Sequence, residues 1–299
     1  MNRPPLSSIL VLAVLLFAAV GVASGARLNG NPVPLDTMRS DTAQRIDPVR
    51  FGIVSGITVG GFVLGHGVLN NLWWKGERSS FHFEWERDWR YSLGADKLGH
   101  AWFPYLTSTF YNGVFLWCGL DTAASLWASS GLALAYQTYI EIRDGFSAEW
   151  GFSWGDMVAD VLGAALPVAR HYVPALRAFE FKISFAPSER FRSGSNAAIF
   201  DDYESTLHWI SVDVNALLPR TAADLWPDWL NVAVGHTVVG LDEMGAGHHE
   251  FYLSLDWNLE RLPGDTDLLR FLKRLANLYH LPAPAVRLSP GVVWYGLKL

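Results

Sequence analysis

Hydrophobic positions run through this 299-residue chain in two textures. Residues 51–74, 98–120 and 122–140 contain no Asp, Glu, Lys or Arg. Each stretch is long enough to cross a bilayer core, which takes about 20 helical residues. A fourth apolar segment, residues 154–172, is interrupted only by Asp156, Asp160, Arg170 and His171. Together the four predict an N-terminal four-helix bundle that is a candidate for membrane insertion. Gly52, Gly56 and Gly60, with Gly61 and Gly65 in a second register, give the first segment a small-residue spacing that lets helix backbones approach closely.

From about residue 178 the period changes from helical to two. FEFKISF, LHWISVDVNAL, WLNVAVGHTVV, FYLSLDWNLE and VVWYGLKL alternate apolar and polar residues between turn-rich stretches, so they predict five antiparallel strands. One amphipathic helix interrupts them over residues 266–280, with Leu269, Leu272, Leu275 and Leu278 on one side. The expected fold class is α+β: a helical bundle over 27–177, then a β-rich region over 178–299. Five strands are too few to close a barrel alone, so a small sheet is the leading expectation and a barrel edge or oligomeric barrel the secondary one.

Composition adds a location. The chain is 50% hydrophobic and 17% charged, with 14 Trp, closer to membrane-associated than to ordinary soluble proteins. Its net charge of -6 comes without a basic block or stripe, which gives a nucleic-acid role little support and leads to the expectation of no nucleic-acid partner. The one cysteine, Cys118, excludes an intrachain disulfide framework and a cysteine-rich metal site. Residues 1–26 carry Arg3, an apolar run from Ile9 to Val22 and small residues suited to cleavage after Ala23 or Ala26, the anatomy of a secretory signal or an uncleaved anchor. No lipobox cysteine follows that run, and the expected destination is the cell envelope.

Charged residues at the edges of the apolar helices are paired. Asp96 and His100, Gln137 and Glu141, and Asp156 and Asp160 each stand four residues apart, which puts each pair on one helix face. Lys97, Arg143 and Asp144 flank them. Three chemistries fit the set. A divalent metal would take His100, Glu141, Asp156 and Asp160, because carboxylates with one imidazole suit Zn, Mn, Mg or Fe. Acid–base exchange among His100, Glu141 and Asp160 would leave Lys97 or Arg143 to hold an anionic group of a lipid or glycan. A satisfied polar network would simply fix helix register. Ser153 adds a further choice, since GFSWG fits the G-x-S-x-G pattern of a hydrolase elbow. No strand-like run precedes it, and Ser153 followed by Asp156 reads as a helix N-cap. His236, His248 and His249 have no metal-ligand spacing.

DKLGH followed by YIEIRDGFSAEWGFSWGDMVADVLGA resembles the YfiM-like family of uncharacterised bacterial envelope proteins. FDDYESTLHWISVDV, WPDWLNVAVGH and FYLSLDWNLE are similar to its longer members, and more distantly the motif order resembles the VanZ-like membrane proteins. The resemblance implies a motif set of Asp96, Lys97, His100, Glu141, Asp144, Ser153, Asp156, Asp160 and Gly163, without an assigned reaction. The sequence therefore leads to an accessory or binding protein of the envelope whose polar centre takes an anionic component. A metal-dependent or acid–base hydrolase acting on lipid or cell-wall glycan is the alternative.

Overall fold

The structure, a computed structural model, describes residues 45–194, 202–219, 222–242 and 246–299. The signal or anchor expected over 1–26 lies outside these residues. The described chain falls into two compact units that meet in sequence between Arg177 and Ala178.

The first unit is helical. It contains α1 (Pro48–Leu72), α2 (Ala95–Trp117), α3 (Thr122–Gly145) and α4 (Trp154–Tyr172). Asp47 caps α1, Asp121 caps α3 and Ser153 caps α4, each accepting backbone N–H bonds from the first turn. Helix α2 starts differently. Ser92 and Leu93 hold φ of 47° and 55°, followed by Gly94 at 76°, so the chain enters through consecutive left-handed residues that only glycine adopts without strain. Helices α2, α3 and α4 pack against one another. A short parallel pair, β1 (Phe83–Glu84) and β2 (Phe152–Ser153), ties the loop before α2 to the start of α4.

One expectation for this unit is corrected. Among the described residues only α1 is both long and apolar enough to count as a candidate membrane span, so the four-helix transmembrane bundle is not what folds. The interiors of the other helices explain why: α2 buries Ser108, Thr109 and Asn112, and α3 buries Ser125, Ser129 and Ser130, residues that lower hydropathy along both segments. The first glycine row in α1 serves no helix contact, since a side chain at Gly52, Gly56 or Gly60 would meet open space. Gly65, in the second register, comes close to the Tyr136 hydroxyl on α3.

The second unit is a six-stranded antiparallel meander ordered β3 (Phe179–Phe185), β4 (Thr206–Val212), β5 (Leu230–Val239), β6 (His248–Trp257), β7 (Ala283–Ser289) and β8 (Val293–Lys298). Short helices α5 (Glu189–Arg192) and α6 (Val214–Leu217) follow β3 and β4, and α7 (Asp267–Ala276) joins β6 to β7. The α+β class holds. Strand β7 was missed because APAVRLS carries Pro284 among small residues, a pattern that local propensity reads as a loop. The helix expected over 266–280 ends at Ala276, and the next four residues instead pack on the sheet. Leu278 and His280 make backbone bonds to Ile183 along the outer edge of β3.

Candidate functional site

The helical unit gathers its charged residues into one centre. Asp96 and His100 come from the first turns of α2, Gln137 and Glu141 from the last turns of α3, and Asp156 and Asp160 from the start of α4. The spacing of four that paired them in sequence turns each pair toward the shared interior. Close approach of α2 and α4 depends on Gly163, where an added Cβ would lie 1.9 Å from the Ala101 carbonyl oxygen. No side chain fits between those backbones.

Two subsites follow. In the first, Lys97 is buried with its Nζ 2.8 Å from Asp88, 2.9 Å from Asp96 and 2.9 Å from Asp156. Ser153 Oγ donates to Asp88 at 2.6 Å and accepts from the Asp156 backbone N–H at 2.9 Å. The Gly155 N–H also donates to Asp88, at 3.0 Å. Burial opposes charge on Lys97, but Asp156 and Asp96 outweigh it and raise the ammonium above its ordinary value. Asp88 is lowered despite burial, by bonds from Lys97, Ser153 and Gly155. Asp96 is pushed up to about 6, by burial first and then by the neighbouring Asp156.

In the second subsite, His100 Nδ1 lies 3.2 Å from Asp160 Oδ1 and 3.7 Å from Glu141 Oε1, while its Nε2 is 3.7 Å from Asp156. Gln137 donates to the same Asp160 oxygen at 2.7 Å, and the Ser153 N–H donates to Glu141 at 3.1 Å. Asp160 is fully buried, yet its Oδ2 has no hydrogen-bond partner. Burial raises Glu141 to about 9. His100 is raised to about 10: burial opposes its charge, and the bond to Asp160 with the charges of Asp156 and Glu141 overcomes it. The histidine side chain is 23% exposed, so this subsite has one face open to the surroundings.

His100, Glu141 and Asp160 offer ligand atoms that all lie within 4.8 Å of one another. Donors on one ion with bonds of about 2.1 Å sit at most about 4.2 Å apart, so small side-chain rotations bring all three onto a single cation. Asp156 stands beside them through His100.

Asp144 does not join this triad. Its carboxylate accepts from Trp74 Nε1 at 2.6 Å, and burial raises it to about 7. Arg143 stacks over the same Trp74 and donates to Asn70. Sequence reasoning missed Asp88, because WERDWR lies in a loop without periodicity; an acid among aromatic and basic residues was the available signal. In the sheet unit, His236 and His249 hydrogen-bond to each other at 2.9 Å, while His248 lies near Glu250.

A buried, acid-rich centre between three helices defines a polar-core helical domain rather than a serine hydrolase: Ser153 caps α4 and bonds to Asp88. Residues 84–172, which span every residue of this centre, match the family DUF2279, described as a predicted periplasmic lipoprotein. That description fits an uncharacterised envelope protein. No curated protein and no solved structure matches the chain.

Proposed function

We propose that the helical unit is a divalent-cation centre of an envelope protein, with His100, Glu141 and Asp160 as ligands and Asp156 at its open side. The observation that carries this reading is the unpartnered, fully buried Asp160 Oδ2 inside a triad of donor atoms within 4.8 Å. Charge supports it. Five carboxyl groups, Asp88, Asp96, Glu141, Asp156 and Asp160, face one lysine and one histidine. Uncompensated charge at such depth is costly, so the excess is neutralised by bound protons or by a cation. One imidazole with carboxylates is a donor set for Zn, Mn or Fe. The YfiM-like motif resemblance falls on the same residues, and hydrolysis of lipid or glycan at this centre would use the ion to activate water.

The test is elemental analysis of the full chain purified without chelator. About one ion per chain is expected, lost in His100→Ala and Asp160→Asn while helicity is kept. An ion-free wild type that also fails to take up added Zn or Mn overturns the proposal.

A second reading concerns an anionic envelope component. Lys97 is saturated by three carboxylates, so the acid-rich centre is a poor host for an anion. A cavity of about 260 Å³ one turn further along α3 is better suited, lined by Arg78, Arg143, Ser79, Trp74 and Phe146 beside Glu77. Arg143 Nε is buried there without a hydrogen-bond partner. Binding to phosphatidylglycerol vesicles over phosphatidylcholine vesicles, weakened by Arg143→Gln, is the expected result; equal binding to both overturns it.

A further inference from the structure

The first strand of the sheet unit is built with its polarity reversed. On β3, Glu180, Lys182 and Ser184 are buried while Phe179 is exposed and Phe181, Ile183 and Phe185 are partly so. Apolar outer positions continue across the other strands, while the inner face also holds a core of Leu207, Trp209, Ala233 and Tyr252. Register pairs Phe181 with Ile210, Ile210 with Val234, Val234 with Leu253, Leu253 with Val286 and Val286 with Trp294. One apolar row therefore crosses all six strands on the outer face. The adjacent row on the inner face runs Lys182, Trp209, Gly235, Tyr252 and Arg287. Outward positions of β3 to β6 hold no Asp, Glu, Lys or Arg.

An aqueous sheet with one solvated face alternates hydrophobic-in and polar-out. Here the outer face is apolar too, and side chains along its middle stay uncovered: Val234 is 51% exposed, Leu253 43% and Trp294 79%. The apolar band has borders. At one end lie the paired rings of His236 and His249, and at the other the stacked indoles of Trp229 and Trp257. Between His236 and Leu230, which pairs with Trp257, β5 covers about 20 Å. Amphipathic rings at the limits of an uncharged band are the arrangement that a membrane–water boundary selects.

We propose that this outer face lies against the hydrocarbon of a lipid bilayer. A second copy of the chain is the other occupant to consider. Protein interfaces carry about one hydrogen bond per 100–200 Å², and Ile210, Val212, Val232, Val234, Leu253 and Leu255 offer no side-chain donor or acceptor for one. Hydrocarbon asks for none.

The test uses the full chain reconstituted in phosphatidylethanolamine–phosphatidylglycerol vesicles. Nitroxide labels are placed at Val234→Cys and Leu253→Cys, with Glu189→Cys as an exposed site off the sheet; Cys118 is fully buried and stays in place. Collisions with oxygen should exceed those with a water-soluble nickel chelate several-fold at 234 and 253, with the order reversed at 189. Dominant nickel collisions at 234 and 253 would place the face in water and overturn the proposal. Exclusion of both reagents would place it against protein and overturn it equally. Because both substitutions replace exposed side chains, circular dichroism in the same vesicles should match wild type.

Discussion

Both units bury charge, and they do so in opposite ways. In the sheet unit three buried acids each have a base: Lys182 meets Asp256 at 2.7 Å, Arg287 meets Glu250 at 2.5 Å, and Arg274 meets Glu180, while the buried Asp202 is held by the hydroxyls of Ser188 and Ser205. Lys182 also donates to the Trp257 carbonyl and to Asn277, which completes its three donors. In the helical unit five carboxyl groups share one lysine and one histidine, and Asp96 Oδ1 and Asp160 Oδ2 have no hydrogen-bond partner. Balanced charge of the first kind fixes register. Surplus charge of the second kind calls for something that the protein chain does not itself provide.

Removing each lysine should separate the two designs. Lys97→Met leaves Asp88, Asp96 and Asp156 facing one another without a cation, so the largest effect is expected here: more than the about 3–5 kcal/mol that breaking a single buried pair costs. Denaturant unfolding of the full chain, followed by helical circular dichroism, measures it. No single further substitution should restore stability, because three partners remain.

Lys182→Met should cost about 3–5 kcal/mol by leaving Asp256 buried and unpaired. The double variant Lys182→Met, Asp256→Leu should recover most of that loss, since a one-to-one pair can be replaced by apolar volume. Failure of the double variant to recover would show that the sheet pair belongs to a wider network, and the contrast with the helical centre would weaken.

Much of this contrast was legible beforehand, and unevenly so. The i and i+4 pairs placed His100, Glu141 and Asp160 on inward faces because helix periodicity is a local property. Asp88 was invisible because its role depends on a loop brought back by the β1–β2 pair, a non-local event. Period-two alternation gave five strands, but alternation alone does not say which face is inside. In an aqueous fold the apolar side would be assumed buried; the structure buries Glu180, Lys182 and Asp256 instead. The transmembrane reading of α2 and α3 failed for a related reason, since an absence of charge is not the same as high hydropathy when serine and threonine line the interior.

Ser153→Ala probes the junction between cap and centre at a smaller scale. The hydroxyl caps α4 and donates to the buried Asp88, so its loss should cost about 1–3 kcal/mol. Lys97 still holds Asp88, which limits the damage. A fluorophosphonate probe should label the wild type and the variant equally little, as expected of a capping serine.

The smallest effect expected near neutral pH belongs to the sheet, and it has a sign. His208 is buried between Phe181 and His236, and burial, reinforced by the charge of His236, lowers it from 6.5 to about 3. His236 and His280 are lowered as well, burial being the first cause in each. A histidine held neutral in the folded state binds fewer protons than it does unfolded, so its stabilisation is complete above 6.5 and is lost as pH falls toward 3. One unit below 6.5 the loss from His208 is about 1.4 kcal/mol. Comparing full-chain unfolding at neutral pH and one unit below 6.5, for wild type and for His208→Phe, isolates that term: the variant keeps the ring stacked on Phe181 and should lose correspondingly less stability in acid. An identical acid loss in both chains would mean that His208 is already protonated in the fold, and that a charge sits buried beside Phe181.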